Sequence, residues 1–504
     1  MLMKAGIIVL AGVLLGRLLG FLREIQLAAA LGAGQIADAA IITLTLPDML
    51  MNLFLSGALA YALIPELTGL SRENAWRLHV QTSLLAAAVF GALALATGIF
   101  SANVLQLFNQ QLPSDLAMQA QRAISISAWL MPLIAMAGVT TAYLQANHRY
   151  AASAASTAIY NGMLVAGLSG MILFEASDSA LMILSLAMIA GGLSRNIILW
   201  RNAAESRPAE TVNAARGNLV RADLLKSYLF ALAGGIALLL LPLLARMFSG
   251  QYGAGALAQF NYASKLVDLP LGVAITVISV VALPALSTAH AADTADPGDG
   301  GQWQGLLMQS LRLSILLSLV IMLPCIHFAP DLAHVAYDWG KMDAQALAGI
   351  ESLLDVGFLL LLVQGTLSVT SAALASARNT AALAWSGVAG VLVFVLALSV
   401  QDRDLTMLMA AMVLAHVAVL AAQCVSLGMR HGIDWGSFLS DKRLYYPVAA
   451  VLAAFAILSV LFDMFETTHW QALVMFALCM PAMGGIVLLA SAEIRQAIFS
   501  RFAK

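Results

Sequence analysis

The sequence predicts an all-α integral membrane protein with about 14 transmembrane helices, arranged as two six-helix lobes in parallel repeat plus two C-terminal helices. Hydrophobic residues make up 61% of the 504 residues and charged residues 10%, against roughly 25% charged in soluble domains. Apolar runs of about 20 residues, the length that an α-helix needs to cross a bilayer, recur along the chain. Glycine and proline also recur in a similar order in the two halves.

The predicted spans form three groups. The N-terminal lobe, residues 1–201, holds six of them, near 3–30, 36–64, 80–107, 120–145, 151–174 and 179–201. A polar cytoplasmic connection is predicted over residues 202–225. The C-terminal lobe, residues 226–428, holds six more, near 226–247, 255–287, 305–329, 347–375, 380–400 and 405–428. The region 444–492 contains the last two predicted helices, near 444–464 and 470–492.

Basic residues are divided unequally between the connections on the two sides of the membrane. One set of connections holds most of the lysines and arginines, whereas the other holds only Arg246, Lys341 and Arg403. Cytoplasmic loops carry the excess of basic residues in membrane proteins. The sequence therefore predicts that both termini and the 202–225 connection are cytoplasmic.

The two lobes resemble each other in their helix-breaking residues. The tripeptide GAG at 32–34 precedes Pro47, and the tripeptide GAG at 253–255 precedes Pro270. Both copies start from the same predicted side, which indicates a parallel repeat about an axis along the membrane normal. Transporters built from such repeats place their site between the halves and expose it to each side in turn.

Charged residues interrupt three of the predicted spans: Arg17 and Arg23 in the first, Asp38 in the second, and Lys265 with Asp268 in the eighth. A charge at the bilayer centre costs ~2.5–3.5 kcal/mol on insertion scales, so it is kept where it faces something polar. Three cations in one cavity would suit a diphosphate, whose oxygens match guanidinium groups bidentately. Alternatively, these residues pair among themselves as buried ion pairs.

Other charged residues of the predicted spans are not assigned to the substrate site. Arg122, Arg195 and Arg312 lie near predicted helix ends, where long side chains reach the headgroups. For Glu24 and Glu66 we favour structural ion pairs near a water interface, and the roles of Asp48 and Asp355 stay open.

Several kinds of site are not indicated. The net charge of −2 gives no sign of nucleic acid binding, and the sequence contains neither a GxxxxGK[ST] phosphate loop nor HExxH. The three cysteines, Cys325, Cys424 and Cys479, lie far apart in apolar runs, so no metal site or disulfide is predicted. We expect a transporter without catalytic residues or a cofactor. Membrane potential, a coupling ion (Na⁺ or H⁺) or consumption of the product would then drive transport.

Motifs along most of the chain resemble the MviN/MurJ family of lipid II flippases, in the multidrug/oligosaccharidyl-lipid/polysaccharide exporter (MOP) superfamily. They are RLLGFLRE, LGAGQIADA, LPDML, LQANHRYAA, SKLVDLPLGVA, LPALS and YDWGKM. The resemblance implies a flippase for the undecaprenyl-diphosphate-linked peptidoglycan precursor (lipid II) in the bacterial cytoplasmic (inner) membrane. It further implies alternating access through a central cationic cavity and a groove for the lipid tail between the last two helices.

Position by position, the resemblance implies substrate-binding roles for Arg17, Arg23, Asp38, Lys265 and Asp268. The expected partners are lipid II, or a similar polyprenyl-diphosphate glycan, and membrane lipids. The protein is expected to be a monomer that associates with cell-wall synthesis proteins.

The sequence departs from the family pattern at a few positions. Met51 and Asn52 stand where the family has a basic pair, and Ala258 stands where a serine is expected. The cargo therefore stays open between lipid II and another polyprenyl-diphosphate glycan of the exopolysaccharide or O-antigen type. A cation-coupled drug antiporter and a non-transporting membrane scaffold are further alternatives.

Overall fold

The computed structural model describes residues 2–55, 63–64, 66–108, 112–207, 240–295, 301–400, 404–465 and 467–491. These residues form helices joined by turns, and they contain no strand. Ten helical stretches in this part of the chain are long and apolar enough to cross a membrane. The predicted class, an all-α multi-pass membrane protein, is therefore confirmed.

The predicted spans agree with the observed helices to different degrees. The ten membrane-crossing stretches match predicted spans in position, including those near 151–174 and 405–428. The spans near 3–30, 36–64 and 255–287 are also helical wherever they are described, although they are not among the ten. Most of the span near 226–247 lies outside the described residues, so the count of fourteen stays a prediction.

The chain divides into two compact units. Unit 1 comprises Met1–Asn261 with Trp339–Asp343, and unit 2 comprises Tyr262–Asp338 with Ala344–Lys504. The division falls inside a continuous helix, Ala256–Ala295. The predicted 202–225 connection lies largely outside the described residues, and the predicted lobe boundaries stay a prediction.

Unit 1 contains eight named helices. They are α1 (Leu2–Leu31), α2 (Gln35–Leu55), α3 (Arg72–Ile99), α4 (Ser101–Leu107), α5 (Ser114–Ser127), α6 (Leu130–Ala146), α7 (Tyr150–Leu173) and α8 (Ala180–Ala204). The segment Trp339–Asp343 joins this unit because the Lys341 N–H donates to the Ala29 carbonyl oxygen at 2.9 Å.

Helices α1 and α7 pack with their backbones close together. A Cβ added at Gly12 would lie 2.6 Å from the Cβ of Ala154, so only glycine permits this approach. One turn later, Asn161 donates from Nδ2 to the Gly16 carbonyl oxygen at 2.9 Å. Small residues on one helix face allow such close crossings in membranes. The contact fixes the part of α1 that leads to Arg23.

Unit 2 is also helical. Its helices are α9 (Ala256–Ala295, of which the first turns belong to unit 1), α10 (Gln302–His327), α11 (Ala329–Tyr337), α12 (Ala344–Gly357), α13 (Leu359–Ser376), α14 (Thr380–Val400), α15 (Leu405–His431), α16 (Trp435–Leu439), α17 (Lys442–Asp463) and α18 (His469–Ala490). Helix α18 begins with a capping box between Thr468 and Gln471, which satisfies otherwise unpaired N–H groups of the first turn.

Candidate functional site

Arg23 is buried on α1 and holds two carboxylates. Its Nη2 donates to Glu24 Oε1 at 2.5 Å and to Asp48 Oδ2 at 2.8 Å, and its Nη1 donates to Asp48 Oδ1 at 3.3 Å. The side chains of Arg23, Glu24 and Asp48 are 5%, 2% and 13% exposed. We call these three residues the Arg23 triad.

Glu24 has a second partner. Asn261, which is buried in the first turns of α9, donates from Nδ2 to Glu24 Oε2 at 3.1 Å. The ion pair expected for Glu24 is therefore observed, whereas the water interface expected near it is not. A buried carboxylate requires hydrogen-bond donors or a counter-ion, and Arg23 and Asn261 supply both.

Two more polar side chains of unit 1 are buried. Tyr160 on α7 is 1% exposed. Arg195 on α8 is 4% exposed. Within the described part of the chain, the Tyr160 hydroxyl and the Nε and Nη1 of Arg195 have no hydrogen-bond partner.

The expectation that Arg195 reaches the headgroups is wrong. Helix α8 continues nine residues beyond Arg195, to Ala204, which is about 13 Å along the helix axis. The turn before Arg195 packs against Tyr160, because a Cβ added at Gly191 would lie 3.1 Å from Tyr160 Cδ2. Arg195 is therefore held in the interior of unit 1.

Asp38 binds the start of α9. It is fully buried, its Oδ2 accepts a hydrogen bond from the Gly255 N–H at 2.7 Å, and its Oδ1 accepts one from the Ala258 N–H at 2.8 Å. A carboxylate is favourable there because helix N-termini carry partial positive charge. Asn261 follows Ala258 by one turn, so Asp38 positions the helix turn that reaches Glu24. A direct contact between Asp38 and substrate stays a prediction.

The backbone around this contact requires glycine. Gly255 has φ +82, and a Cβ added there would lie 1.9 Å from the Ala33 carbonyl oxygen. The two GAG tripeptides, at 32–34 and 253–255, therefore meet within unit 1. Their close approach brings the α9 amide groups to Asp38.

Three other predicted site residues, Arg17, Lys265 and Asp268, do not belong to the Arg23 triad. Arg17 is exposed on α1. In unit 2, Lys265 is partly buried and Asp268 is exposed. These two residues, both of which the structure describes, form no ion pair with each other, and Asp268 lies within electrostatic range of His416 on α15. That all the predicted site residues line one cavity stays a prediction.

Chemically, the triad is a buried arginine that is paired with two carboxylates. Its planar guanidinium matches carboxylate and phosphate oxygens equally well, and buried ion pairs are weak evidence for stability because desolvation offsets much of their attraction. Among the residues that the structure describes, no cluster of histidine, cysteine or acidic residues suits a metal ion. That Arg23 also binds an anionic substrate stays a prediction.

Sequence reasoning missed Asp48, Tyr160 and Arg195. A signal existed for Asp48, because it follows Pro47 inside an apolar helix and needs a partner as much as Asp38 does. A weaker signal existed for Arg195, which lies several residues inside its predicted span. Nothing in the sequence distinguished Tyr160 from an ordinary core tyrosine.

A family model described as lipid II flippase MurJ matches residues 27–483. A probable lipid II flippase MurJ from Rhizobium meliloti (strain 1021) is 28% identical over 277 residues, which are 51% of this chain and 49% of the relative. The chain therefore matches about half the length of that curated relative. A lipid II flippase MurJ from Burkholderia cenocepacia is 25% identical over 354 residues, 66% of this chain and 65% of the relative.

Solved structures show the same fold. A structure described as lipid II flippase MurJ in an inward closed conformation superposes with a TM-score of 0.74, at 14% identity, over 96% of this chain and 99% of that one. At this identity the likeness shows the fold alone.

Proposed function

Because the chain belongs to the lipid II flippase family MurJ, we propose that it moves a polyprenyl-diphosphate-linked glycan across the bacterial cytoplasmic membrane. The cargo is lipid II, and it moves from the cytoplasmic to the outer leaflet. The observation that carries this proposal is Arg23, a buried guanidinium on a helix of a multi-pass membrane protein whose counter-ions are two carboxylates. Charged residues inside membrane helices are rare, pair with one another and mark the paths of substrates or ions.

The diphosphate of the cargo would replace the carboxylates on Arg23. Charge-assisted, bidentate hydrogen bonds to phosphate oxygens are about twice as strong as neutral ones. Arg17 precedes Arg23 by six residues on α1, about 9 Å along the helix axis, and its side chain is exposed. With the N-terminus in the cytoplasm, the headgroup would meet Arg17 first and Arg23 second, while the lipid tail stays in the bilayer.

The drive for this movement comes from the membrane. The sequence contains no phosphate loop for ATP. The potential, inside negative, favours outward movement of an anionic headgroup by ~2.3 kcal/mol per charge per 100 mV. A coupling ion, Na⁺ or H⁺, would add to this term in alternating access.

A second cargo of the same chemical class is favoured by one feature. Met51, where the family has a basic residue, is buried and apolar, and the nearby Asp48 adds a negative charge to Arg23. The site therefore offers less positive charge than the family pattern implies, which would suit another polyprenyl-diphosphate glycan with fewer charges than lipid II.

Complementation tests the proposal. The chain is expressed in a bacterium whose own lipid II flippase can be depleted, and growth is read together with the accessibility of lipid II at the outer face. We expect the unsubstituted chain to restore both, and Arg23→Gln to restore neither while the protein accumulates normally.

Arg149→Gln is the matched control. Arg149 also pairs with a carboxylate, that of Glu205 at 2.8 Å, but these side chains are 38% and 64% exposed. Exposed pairs contribute ~0–1 kcal/mol, so this variant should complement. Normal growth with Arg23→Gln would overturn the proposal. An unsubstituted chain that accumulates normally but restores neither growth nor lipid II at the outer face would point to the second cargo.

A further inference from the structure

Asn261 and Arg23 share one carboxylate, that of Glu24. Asn261 is buried in the first turns of α9, and its Nδ2 donates to Glu24 Oε2 at 3.1 Å. The other oxygen of this carboxylate, Oε1, accepts from Arg23 Nη2 at 2.5 Å. The Glu24 carboxylate therefore bridges an amide and a guanidinium, with one oxygen for each.

The side-chain amide of Asn261 can face Glu24 in one orientation only. An ionised carboxylate accepts hydrogen bonds and donates none, so the NH₂ group of the amide must point towards it. Both residues are buried, and a buried carboxylate oxygen without a donor is unfavourable. The hydrogen bond to Asn261 therefore fixes the position of Glu24 Oε2.

This arrangement leaves one N–H group of Arg23 without a partner. On one edge of a guanidinium, the Nε and Nη2 N–H groups are parallel and match the two oxygens of a carboxylate or phosphate. Asp48 binds the other edge, through Nη1 and Nη2. Glu24 binds Nη2 alone, and Arg23 Nε has no hydrogen-bond partner among the residues that the structure describes. Because Asn261 holds Glu24 Oε2, this oxygen does not reach Nε.

We propose that Asn261 is a positioning residue that keeps the Nε–H of Arg23 open to the diphosphate of the cargo. By holding Glu24 Oε2, it limits Glu24 to a single hydrogen bond with Arg23 in place of a bidentate pair. A phosphate oxygen binds Nε first and then replaces Glu24 on Nη2, while Asn261 retains the released carboxylate. The inference rests on the proposed function, because the cargo is what binds Arg23.

Asn261→Leu tests this role, because leucine is similar in size but has no side-chain N–H group. In this variant Glu24 Oε2 should turn to Arg23 Nε and complete the bidentate pair. We expect lipid II to bind about tenfold more weakly in native mass spectrometry, the effect of roughly one charge-assisted hydrogen bond. Glu24→Gln removes the competing carboxylate. The double variant, Glu24→Gln with Asn261→Leu, should therefore bind lipid II as tightly as Glu24→Gln alone.

A measurement without lipid follows the Nε–H of Arg23 directly. In protein with isotope-labelled arginine, its NMR signal is identified by its loss in Arg23→Lys. Because a hydrogen bond shifts the signal, we expect a shift in purified Asn261→Leu and none in the double variant relative to Glu24→Gln. Asn196→Leu is the matched control, because Asn196 is also buried but donates to the Leu133 carbonyl oxygen at 2.9 Å. This control should leave the signal in place.

The outcomes decide the role of Asn261 in either direction. An unshifted Nε–H signal in Asn261→Leu would overturn it, and so would a shifted signal with unchanged binding of lipid II. If Asn261→Leu fails to accumulate, a double variant that accumulates and matches Glu24→Gln supports the role. A double variant that also fails to accumulate shows a packing role for Asn261 and overturns the proposal.

Inorganic pyrophosphate separates this proposal from the proposed function. If the original chain binds no lipid II, pyrophosphate replaces it as the probe in the same variants. A loss of about tenfold in Asn261→Leu, together with the shifted Nε–H signal, would retain the positioning role and reject the flippase assignment. Equal binding of pyrophosphate by Asn261→Leu and the original chain would overturn the positioning role.

Discussion

The contact between Asp38 and the start of α9 allows a sharp prediction. Asp38→Asn keeps the side-chain shape but replaces one acceptor oxygen by an NH₂ group that faces a backbone N–H. One of the two hydrogen bonds, at 2.7 and 2.8 Å, is lost, and the other loses its charge. A hydrogen bond to a charged group contributes ~1.5–3 kcal/mol, and an unsatisfied buried donor costs ~1–3 kcal/mol. The loss of helix-dipole interaction adds ~0.3–1 kcal/mol. We therefore expect a local destabilisation of about 3 kcal/mol.

Hydrogen exchange measured by mass spectrometry checks this value. A local loss of about 3 kcal/mol corresponds to roughly a hundredfold faster exchange, and it should be confined to the first turn of α9, where Gly255 and Ala258 lie. Asp434→Asn is the control, because Asp434 caps α16 through the same kind of bonds to backbone N–H groups but is exposed at the surface. That control should change exchange far less. Equal exchange in Asp38→Asn and the original protein would refute the positioning role of Asp38.

Three further predictions concern packing and charge. Gly12→Leu should push α1 away from α7 and lower the free energy of unfolding in detergent by about 1–3 kcal/mol. Gly91→Leu on α3, where a Cβ meets nothing within 4 Å, should not lower it. Equal losses of unfolding free energy in the two variants would contradict the close packing of α1 and α7. Lys265→Arg should complement a flippase-depleted strain as well as the original chain, since charge is kept and bidentate geometry is gained; loss of growth would exclude a headgroup contact there. His469→Ala removes the 2.7 Å contact to Asp331. It should lower the free energy of unfolding by less than about 1 kcal/mol, because both side chains are partly exposed. A larger loss would show that the pair anchors α18.

Much of the fold could be predicted because a membrane-spanning helix is recognised from a local run of apolar residues. The span predicted near 151–174 is observed as Tyr150–Leu173, and that near 405–428 as Leu405–His431. Each needs only a run of apolar residues and polar ends. Helices α5 and α6, which the prediction merged near 120–145, are separate because a turn falls at residues 128–129. Hydropathy averaged over the length of a membrane span does not detect a turn of two residues.

Some buried charges of the candidate site could be identified in advance, because a charge in an apolar helix is visible in sequence, whereas its partner is not. Arg23 and Asp38 stood out for this reason. That Arg23 pairs with Asp48, 25 residues away, depends on the packing of α1 against α2. That Asp38 binds backbone N–H groups more than 200 residues away depends on tertiary structure alone, because every residue carries such a group.

The fit between the Arg23 guanidinium and a diphosphate is the central claim, and binding by purified Arg23→Lys tests it most directly. The lysine keeps the charge but loses the planar fork that matches two phosphate oxygens. Measured by native mass spectrometry against the original chain, lipid II should bind about tenfold more weakly, the loss of roughly one charge-assisted hydrogen bond, while a polyprenyl monophosphate should lose less. Equal affinity of both proteins for lipid II would contradict the account.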